Sequence, residues 1–434
     1  MKKMKDSGIE WIGEIPEEWE VSRIKNYLKR NEPRNPGDKI VLSLYRDLGI
    51  VPKDSRDDNH NVTSLDTSNY KYVCIGDFVI NKMKAWQGSV AVSDYEGIVS
   101  PAYYVYNFTD STFVKKYFHY LLRNCYKDEF RRLSGGIREG QWDLSSENFD
   151  TTLVIIPNKI SQTAISAYLD RQCTHIDNII EKTKTSIEEY KKLKQAVITQ
   201  AVTKGIRSKR EMKDSGIEWI GEIPKSFSTR KLKTFCDVIS KGTTPKEMET
   251  AFSEKFSIRF IKSENIINNN LSEVPMFTIS EETHLTLLQR SILNERDILF
   301  VIAGASIGKC AIMNKILLPA NTNQATCFIR VKSSLFEYIK YIWYVLQTDI
   351  MKTYISLFSV QSAQPNISME DLGNFVISLP NDKTEIKDII SYLDKKCTEI
   401  DAIITKKQQF LTEMENYKKS LIFECVTGKR EVSV

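Results

Sequence analysis

A 13-residue segment occurs twice in this chain and constrains its fold more than any other feature. The sequence MKDSGIEWIGEIP occupies residues 4–16 and recurs without change at residues 212–224, which is 208 positions later. A second shared segment, of the form YLD-x-x-C-T-x-ID, begins at Tyr168 and again at Tyr392, which is 224 positions later. Because a repeated sequence folds into a repeated structure, the chain contains two copies of one plan. The copies agree at their ends and diverge in their middle segments.

The second shared segment starts a helical pattern in each half. Apolar or small side chains recur every three or four residues from Ile165 to Ala201, and the same spacing recurs 224 positions later, from Ile389 to Cys425. The second run departs from this character only at Lys407. No Pro or Gly interrupts residues 160–203 or 383–427, so each of these runs predicts a helix of about 65 Å at 1.5 Å per residue.

We interpret the two predicted helices as partners. Their equal length and repeated spacing favour a coiled coil between them over two separate core helices. We expect antiparallel packing, because a whole domain lies between the end of the first helix and the start of the second. At the start of the second helix, Asp382 and Glu385 predict a capping box. The side chains predicted to pair the helices are Leu169, Ile176, Ile180, Ile187, Leu393, Ile400, Ile404 and Leu411.

The two middle segments have the pattern of mixed α/β domains. Short apolar runs predict strands, and one aromatic-rich run in each segment predicts a helix. The predicted strands are 39–44, 78–81, 90–92 and 103–108 in the first segment, and 258–261, 298–302, 325–331 and 375–379 in the second. The predicted helices are 112–133 and 335–357. We therefore expect an α+β protein, in which two mixed α/β domains are joined by two long antiparallel coiled-coil helices with an internal pseudo-two-fold repeat.

The composition excludes several classes of protein. Charged residues make up 27% of the chain and hydrophobic residues 41%, which excludes a disordered or collagen-like chain. No apolar run reaches the roughly 18–20 residues of a membrane span, and no apolar core follows the first lysines, so we expect a cytoplasmic protein without a membrane partner. The eight cysteines and four histidines lack metal-ligand spacing, so we expect reduced thiols and no metal site. The net charge of +5 does not by itself indicate a nucleic-acid partner.

Motifs that would indicate catalysis fail on spacing or context. Residues 304–309, GASIGK, have three residues between the glycines where a phosphate-binding loop has four, and Cys310 stands where that loop has a hydroxyl. We interpret this segment as a tight turn between strands. The Pro-Pro pair of amino-methylating enzymes is absent from the sequence. Asp54, Asp57 and Asp58 lie in a polar segment without the framework of a metal nuclease, and we predict no catalytic residue.

The chain resembles the specificity (S) subunit of type I restriction-modification enzymes over nearly its whole length. The shared features are the GIEWIGEIP openings, the YLD-x-x-C-T-x-ID helix starts, and the AVTKG and CVTGK endings. The stretches that resemble the target-recognition domains of that family are 76–88 and 98–103 in the first half, and 241–245, 258–266, 304–309 and 323–324 in the second. Together these features are specific, whereas each alone would be a weak signal.

The resemblance implies a protein that reads DNA and is not itself an enzyme. Two target-recognition domains would each bind one half of a split double-stranded DNA target. The paired helices would hold these domains apart and bind two modification (M) subunits, which carry S-adenosylmethionine and methylate adenine. Restriction (R) subunits would supply translocation and cleavage with ATP and Mg. No cofactor is therefore expected in this chain.

The implied domain boundaries follow the repeat. They are 1–157 for the first recognition domain, 158–205 for the first long helix, 206–380 for the second recognition domain, 381–429 for the second long helix, and 430–434 for a tail. Within the recognition domains, the segments expected to read DNA are 17–155 and 225–380.

Candidate DNA contacts are basic, amide or aromatic side chains in the segments that resemble recognition domains. Gln and Asn pair with adenine and Arg or Lys with guanine, whereas lysines more often contact phosphate. Trp86 is equally consistent with packing and with stacking on a base. The candidates are Lys82, Lys84, Trp86, Gln87, Arg138 and Gln141 in the first domain, and Lys241, Lys262, Asn265, Lys309, Gln324, Gln361 and Gln364 in the second.

Two other functions remain open from the sequence. One is a self-contained DNA methyltransferase or nuclease, which methylation by the isolated chain would reveal. The other is a coiled-coil scaffold without nucleic-acid binding, which a gel-shift competition with random duplexes would distinguish.

Overall fold

The computed structural model describes residues 3–46, 48–55, 66–136, 142–359 and 365–432. The chain divides into two compact units. Unit 1 comprises residues 1–184 and 409–434, and unit 2 comprises residues 185–408. Among the helices that the structure describes, none combines the length and the apolar composition that a membrane crossing requires.

Two of the described α-helices are far longer than the others. α4 has 46 residues and α9 has 44, so they extend about 69 Å and about 66 Å at 1.5 Å per residue. The described α-helices are α1 Lys115–Cys125, α2 Lys127–Leu133, α3 Ser146–Thr151, α4 Lys159–Lys204, α5 Glu281–Leu285, α6 Ile339–Val345, α7 Asp349–Phe358, α8 Met369–Asn374 and α9 Lys383–Val426.

The long helices run antiparallel, as the composition of each buried core shows. In unit 1, Leu169 near the start of α4 is in the same buried cluster as Leu421 and Cys425 near the end of α9. In unit 2, Ala201 near the end of α4 is clustered with Leu393 near the start of α9. The predicted α+β fold with two long antiparallel helices is therefore confirmed.

Unit 1 is built around a four-stranded antiparallel sheet with the strand order β4-β11-β8-β9. The repeated opening motif folds into a hairpin of β1 and β2, and β3 pairs with β14, which precedes α4. The strands of this unit are β1 Met4–Asp6, β2 Glu14–Pro16, β3 Glu20–Arg23, β4 Leu28–Arg30, β5 Leu42–Tyr45, β6 Gly49–Pro52, β7 Lys71–Val73, β8 Phe78–Asn81, β9 Val90–Val92, β10 Gly97–Val99, β11 Tyr103–Phe108, β12 Ser134–Gly135, β13 Asp143–Leu144 and β14 Leu153–Ile156.

Unit 2 contains a sheet of the same form, with the strand order β18-β26-β23-β24. Its opening motif again forms a hairpin, β15 with β16, and β17 pairs with β27, which precedes α9. A parallel pair of β19 and β25 occurs only in the sheets of this unit as described. The strands are β15 Met212–Asp214, β16 Glu222–Pro224, β17 Phe227–Lys231, β18 Cys236–Lys241, β19 Ile258–Ile261, β20 Ile266–Ile267, β21 Asn270–Leu271, β22 Thr278–Ile279, β23 Ile298–Val301, β24 Cys310–Ile312, β25 Ala320–Thr322, β26 Thr326–Val331 and β27 Val376–Pro380.

Both aromatic-rich runs fold differently from the single helices predicted for them. The run 112–133 is divided into α1 and α2 at Tyr126, whose backbone is not helical (φ −95°, ψ 9°) and whose hydroxyl donates to the Leu153 carbonyl at 2.9 Å. The run 335–357 is divided into α6 and α7 by Thr348, whose side chain accepts a hydrogen bond from the Met351 N–H and caps α7. The predicted strand 39–44 begins later, as β5.

The predicted capping box at the start of α9 is only half correct. Asp382 accepts a hydrogen bond from the Thr384 N–H at 2.9 Å, as a capping residue does. Glu385 does not complete the box. Its side chain is buried and forms an ion pair with Arg210, because an apolar neighbourhood makes a carboxylate without a cation costly.

Candidate DNA-binding surface

Equivalent β-hairpins carry predicted contact residues in the two units. The hairpin loops are residues 82–89, between β8 and β9, and residues 302–309, between β23 and β24. Both hairpins have the same register, with Ile80 opposite Val90 in unit 1 and, 220 positions later, Phe300 opposite Cys310 in unit 2. The two loops therefore have equal length and occupy the same place in two sheets of the same strand order.

The backbone around the two hairpin loops is also equivalent. The Lys82 N–H donates to the Ala102 carbonyl at 3.4 Å, and the Ile302 N–H donates to the Ala325 carbonyl at 2.9 Å. These bonds attach each loop to the turn before the neighbouring strand. The stretches 76–88 and 304–309, which resemble two different subtypes of recognition domain, thus hold one position in the fold.

A left-handed glycine lies at the end of each hairpin loop. Gly88 has φ 88° and Gly308 has φ 89°, in the region that favours glycine. A Cβ at Gly88 would also lie 3.3 Å from the Arg123 carbonyl oxygen, which is closer than an ordinary van der Waals contact.

The hairpin loop of unit 1 has one exposed lysine and one paired lysine. Lys84 is exposed, and Gln87 is half-buried. The Lys82 ammonium forms an ion pair with Asp143 at 3.1 Å, and its side chain is 31% exposed. Binding of Lys82 to a phosphate would therefore require exchange of Asp143 for the phosphate.

Trp86 is part of a small aromatic cluster. Its indole N–H donates to the Met83 carbonyl at 3.2 Å, and its ring meets the Trp142 ring edge-on at 6.0 Å. The Arg131 guanidinium lies 5.9 Å from the Trp86 ring. These contacts assign Trp86 to the support of its loop, and they leave its stacking on a base untested.

The hairpin loop of unit 2 explains the failed phosphate-loop motif. A phosphate-binding loop joins a strand to a helix, whereas residues 302–309 join two antiparallel strands. The Gly308 N–H closes the turn by donating to the Val301 carbonyl at 2.9 Å. The predicted tight turn is confirmed, and Lys309 is exposed at its end.

Lys241 and Gln324 lie on two segments that pack against each other. The Gly242 N–H donates to the Asn323 carbonyl at 3.1 Å, and a Cβ at Gly242 would lie 1.6 Å from the Thr322 carbonyl oxygen. Only glycine permits this approach. The Thr244 hydroxyl donates to the Gln324 amide oxygen, so the Gln324 side chain is positioned although it is exposed.

The side chains of Lys262 and Asn265 contact other protein groups, whereas a DNA contact would face solvent. The Lys262 ammonium lies 3.6 Å from the centre of the Phe277 ring. Asn265 is only 2% exposed. Its amide nitrogen donates to the carbonyls of Ser272 at 3.1 Å and Pro275 at 2.7 Å, and its oxygen accepts from the Lys262 N–H. Asn265 therefore holds its loop together, and its role as a DNA contact stays an untested prediction.

Four candidate contacts lie outside the described residues. They are Arg138, Gln141, Gln361 and Gln364.

The side chains predicted to pair the helices are mostly buried. Those with less than a tenth of their surface exposed are Leu169, Ile176, Ile180, Ile187, Leu393 and Ile400, whereas Ile404 and Leu411 are half-buried. The same helical stripe becomes exposed at Leu193 and at its counterpart Tyr417, 224 positions later. The stripe is thus interrupted at equivalent places in both copies.

Comparisons with known proteins agree with this two-fold plan. Residues 224–409 match the family model described as "Type I restriction modification DNA specificity domain". The chain is 24% identical over 429 residues to the type I restriction enzyme MjaVIII specificity subunit of Methanocaldococcus jannaschii, covering 96% of this chain and 94% of that protein. It is 22% identical to the putative type I restriction enzyme MjaX specificity subunit of the same organism, covering 97% and 96%. The chain is therefore similar to type I specificity subunits over nearly its whole length.

The fold agrees with that of a solved relative. A chain from a structural study of complex assembly and conformational transition in the type I R-M system superposes with a TM-score of 0.71, at 14% identity. The superposition covers 96% of this chain and 99% of that chain.

One pair of equivalent sites escaped the sequence analysis. Residues 116–120 read KYFHY and residues 340–344 read KYIWY, which is the pattern K-Y-x-x-Y repeated 224 positions later. Both copies lie on the helix that packs against the long helices, in α1 and α6. The constant offset was the available signal. It was missed because the middle segments were treated as divergent throughout.

Two kinds of titratable site bear on catalysis, namely metal-binding clusters and activated thiols. Within the ranges that the structure describes, no group of three or more His, Cys, Asp or Glu side chains could hold a metal ion. All eight cysteines are free thiols in the structure. Burial raises the pKa of the Cys327 thiol to about 12, so it is not activated as a nucleophile.

Proposed function

We propose that the chain is the non-catalytic, sequence-specific DNA-binding subunit of a type I restriction-modification complex, in which each unit reads one half of a split target. The observation that carries the proposal is the pair of hairpin loops. Two sheets of equal strand order present them 220 positions apart, in the same register and with different side chains. A common frame with different side chains suits two readers of different half-sites.

The chemistry of the exposed side chains supports a DNA partner. Lys84, Lys241 and Lys309 are exposed, so their ammonium groups are available to phosphate oxygens, which position a protein on DNA without specifying sequence. Gln87 and Gln324 carry amides, which pair with base edges in the major groove. The boundaries of the two readers that we propose are 17–155 and 225–380.

The long helices suit a second kind of partner. We assign to α4 and α9 the binding of two M subunits, which would carry S-adenosylmethionine and methylate adenine. R subunits, with ATP and Mg, would join for translocation and cleavage. The internal repeat supports two M subunits, because an internal pseudo-two-fold axis presents the same surface twice.

Sequencing of methylated bases in a host that carries the complete system tests the proposal. The expected result is a split motif with two half-sites and a constant gap. Exchange of residues 225–380 for the corresponding domain of a relative should change one half-site and leave the other intact. A change of both half-sites together, or methylation by the isolated chain, would contradict the two-reader subunit.

A further inference from the structure

A carboxylate on α4 joins the recognition domain of unit 1 to the long helix. The Lys116 ammonium lies 2.6 Å from Asp170 Oδ2, and the Tyr120 hydroxyl donates to Asp170 Oδ1 at 3.0 Å. Both partners come from α1. From the same helix, the buried Tyr117 hydroxyl donates to the Val426 carbonyl at the end of α9 at 2.8 Å. One short helix thus contacts both long helices.

The same three contacts occur in unit 2, each 224 positions later. Lys340 lies 2.6 Å from Asp394 Oδ2, and the Tyr344 hydroxyl donates to Asp394 Oδ1 at 2.6 Å. The Tyr341 hydroxyl donates to the Val202 carbonyl at the end of α4 at 3.0 Å. The joint of unit 1 is therefore Lys116, Tyr117, Tyr120, Asp170 and Val426, and the joint of unit 2 is Lys340, Tyr341, Tyr344, Asp394 and Val202.

The joints retain their polar side chains where their neighbours differ. Between the two tyrosines, unit 1 has His119 and unit 2 has Trp343. Packing alone would not require the same lysine, tyrosines and aspartate around such different rings. The aspartates belong to the repeated YLD segment of the long helices, whereas the lysines and tyrosines belong to the recognition domains.

The lysine–aspartate ion pair of each joint contributes little to the free energy of folding. The Lys116 side chain is 67% exposed and that of Lys340 is 47% exposed, and exposed ion pairs add little to stability. The hydrogen-bonding geometry of each aspartate has a separate effect, on the orientation of the helix that it contacts. A carboxylate that accepts from two donors of one helix fixes the rotation of that helix, because both oxygens are engaged at once.

We propose that the two joints are positioning elements that fix each recognition domain on the long helices and thereby restrict the gap between half-sites that the complex accepts. The proposal rests on the proposed function. Lys116, Tyr120 and Asp170, with Lys340, Tyr344 and Asp394, act through the orientation of the readers and contact no base.

The test measures gap selectivity with the complex assembled from full-length chain and M subunits. Binding and methylation are compared on duplexes that carry both half-sites at the natural gap and at gaps one base pair shorter or longer. The variants are Asp170→Asn, Asp394→Asn and Tyr344→Phe. Lys352→Ala is the matched control, because Lys352 pairs with Asp349 at 2.8 Å within the single helix α7.

Each joint variant should bind the duplex with the natural gap with an affinity within about threefold of that of the unchanged complex. The ratio of its affinity for the altered-gap duplexes to its affinity for the natural-gap duplex should rise by about fivefold or more. The control should leave the ratio unchanged. An unchanged ratio in the joint variants, or an equal loss at all three gaps, overturns the positioning role. If the unchanged complex methylates no split motif, it is the proposed function that fails.

Discussion

Asp177 of α4 accepts two contacts of 2.7 Å from the ammonium of Lys418 in α9, and the same pair recurs with the helices exchanged. In the counterpart, Asp401 of α9 pairs with Lys194 of α4 at 2.6 Å. Asp401 lies 224 positions after Asp177, and Lys418 lies 224 positions after Lys194. The two pairs fix one register between the helices at two places. A change of length between them must therefore be made in both helices to keep that register.

Deletion of one heptad from each long helix should shorten the gap between the half-sites. Removal of residues 180–186 and 404–410 keeps both aspartate–lysine pairs and takes about 10 Å from the helices, at 1.5 Å per residue. That length corresponds to roughly three base pairs at 3.4 Å per pair. The methylated motif of the variant measures the gap. An active deletion variant that keeps both half-sites and the original gap would show that the helices do not set it.

Buried and exposed leucines at the same helical spacing should differ in their effect on stability. Leu169 and Leu393 are equivalent and both 0% exposed, so Leu169→Ala and Leu393→Ala should each lower the free energy of unfolding by about 3 kcal/mol. Leu193, which is 48% exposed, is the matched control, and Leu193→Ala should cost less than about 1 kcal/mol. Urea unfolding followed by circular dichroism measures the difference. Equal losses of unfolding free energy at all three positions would contradict the difference in burial between them.

The exposed lysines of the hairpin loops should contribute to the salt dependence of DNA binding. Lys84→Ala and Lys309→Ala should each reduce the slope of log Kd against log salt by about 1, because each removes one phosphate contact and its released counterion. Fluorescence anisotropy of the assembled complex over a salt titration measures the slope. Lys225→Ala is the control, since Lys225 pairs with Glu211 at 2.9 Å. A slope that stays constant in both loop variants would remove these lysines from the interface.

His119 should make unit 1 sensitive to mild acid. Burial, with the nearby Arg123 charge, lowers the pKa of His119 to about 4, while Asp170 opposes this shift. The unfolded imidazole has a pKa of about 6.5, so the unfolded state binds more protons between these values. Stability that is present above pH 6.5 is therefore lost as the pH falls to about 4.

The variant His119→Asn removes this titration. Between pH 7 and pH 4.5, its free energy of unfolding should fall by less than that of the unchanged chain, with a difference on the order of 1–3 kcal/mol. Thermal unfolding at fixed ionic strength measures both. Parallel pH profiles would mean that His119 is protonated alike in the folded and unfolded states.

The parts of the fold that follow from periodicity were predictable from the sequence. An apolar stripe of constant step predicts α4 and α9, and short apolar runs predict β8, β9 and β11 at their observed bounds. The breaks in the aromatic helices were not predictable in this way. Thr348 ends one helix by capping the next, and Tyr126 is held by a hydroxyl contact with Leu153, which is distant in sequence.

The segments that form the candidate site were predictable from the sequence, but the roles of their individual side chains were less so. The stretches that resemble recognition domains led to both hairpin loops. The roles of single residues depend on contacts that a sequence does not contain. Asn265 has the right chemistry for a base, but its amide bonds its own loop, and Lys82 is paired with Asp143. In each joint, the lysine lies 54 residues and the second tyrosine 50 residues from the aspartate that both contact, so no local pattern shows the contact.

The equal length and register of the two hairpin loops affect how the protein can evolve. Gly88 and Gly308 and the paired strands hold the backbone of each loop, so exposed loop side chains such as Lys84 and Lys309 are not needed to shape it. Under the proposed function, a mutation at an exposed loop position changes a contact with DNA while the sheet beneath the loop stays the same. Under the proposed function, each unit can therefore change its own DNA contacts by substitution in its own loop, without any change in the sequence of the other unit.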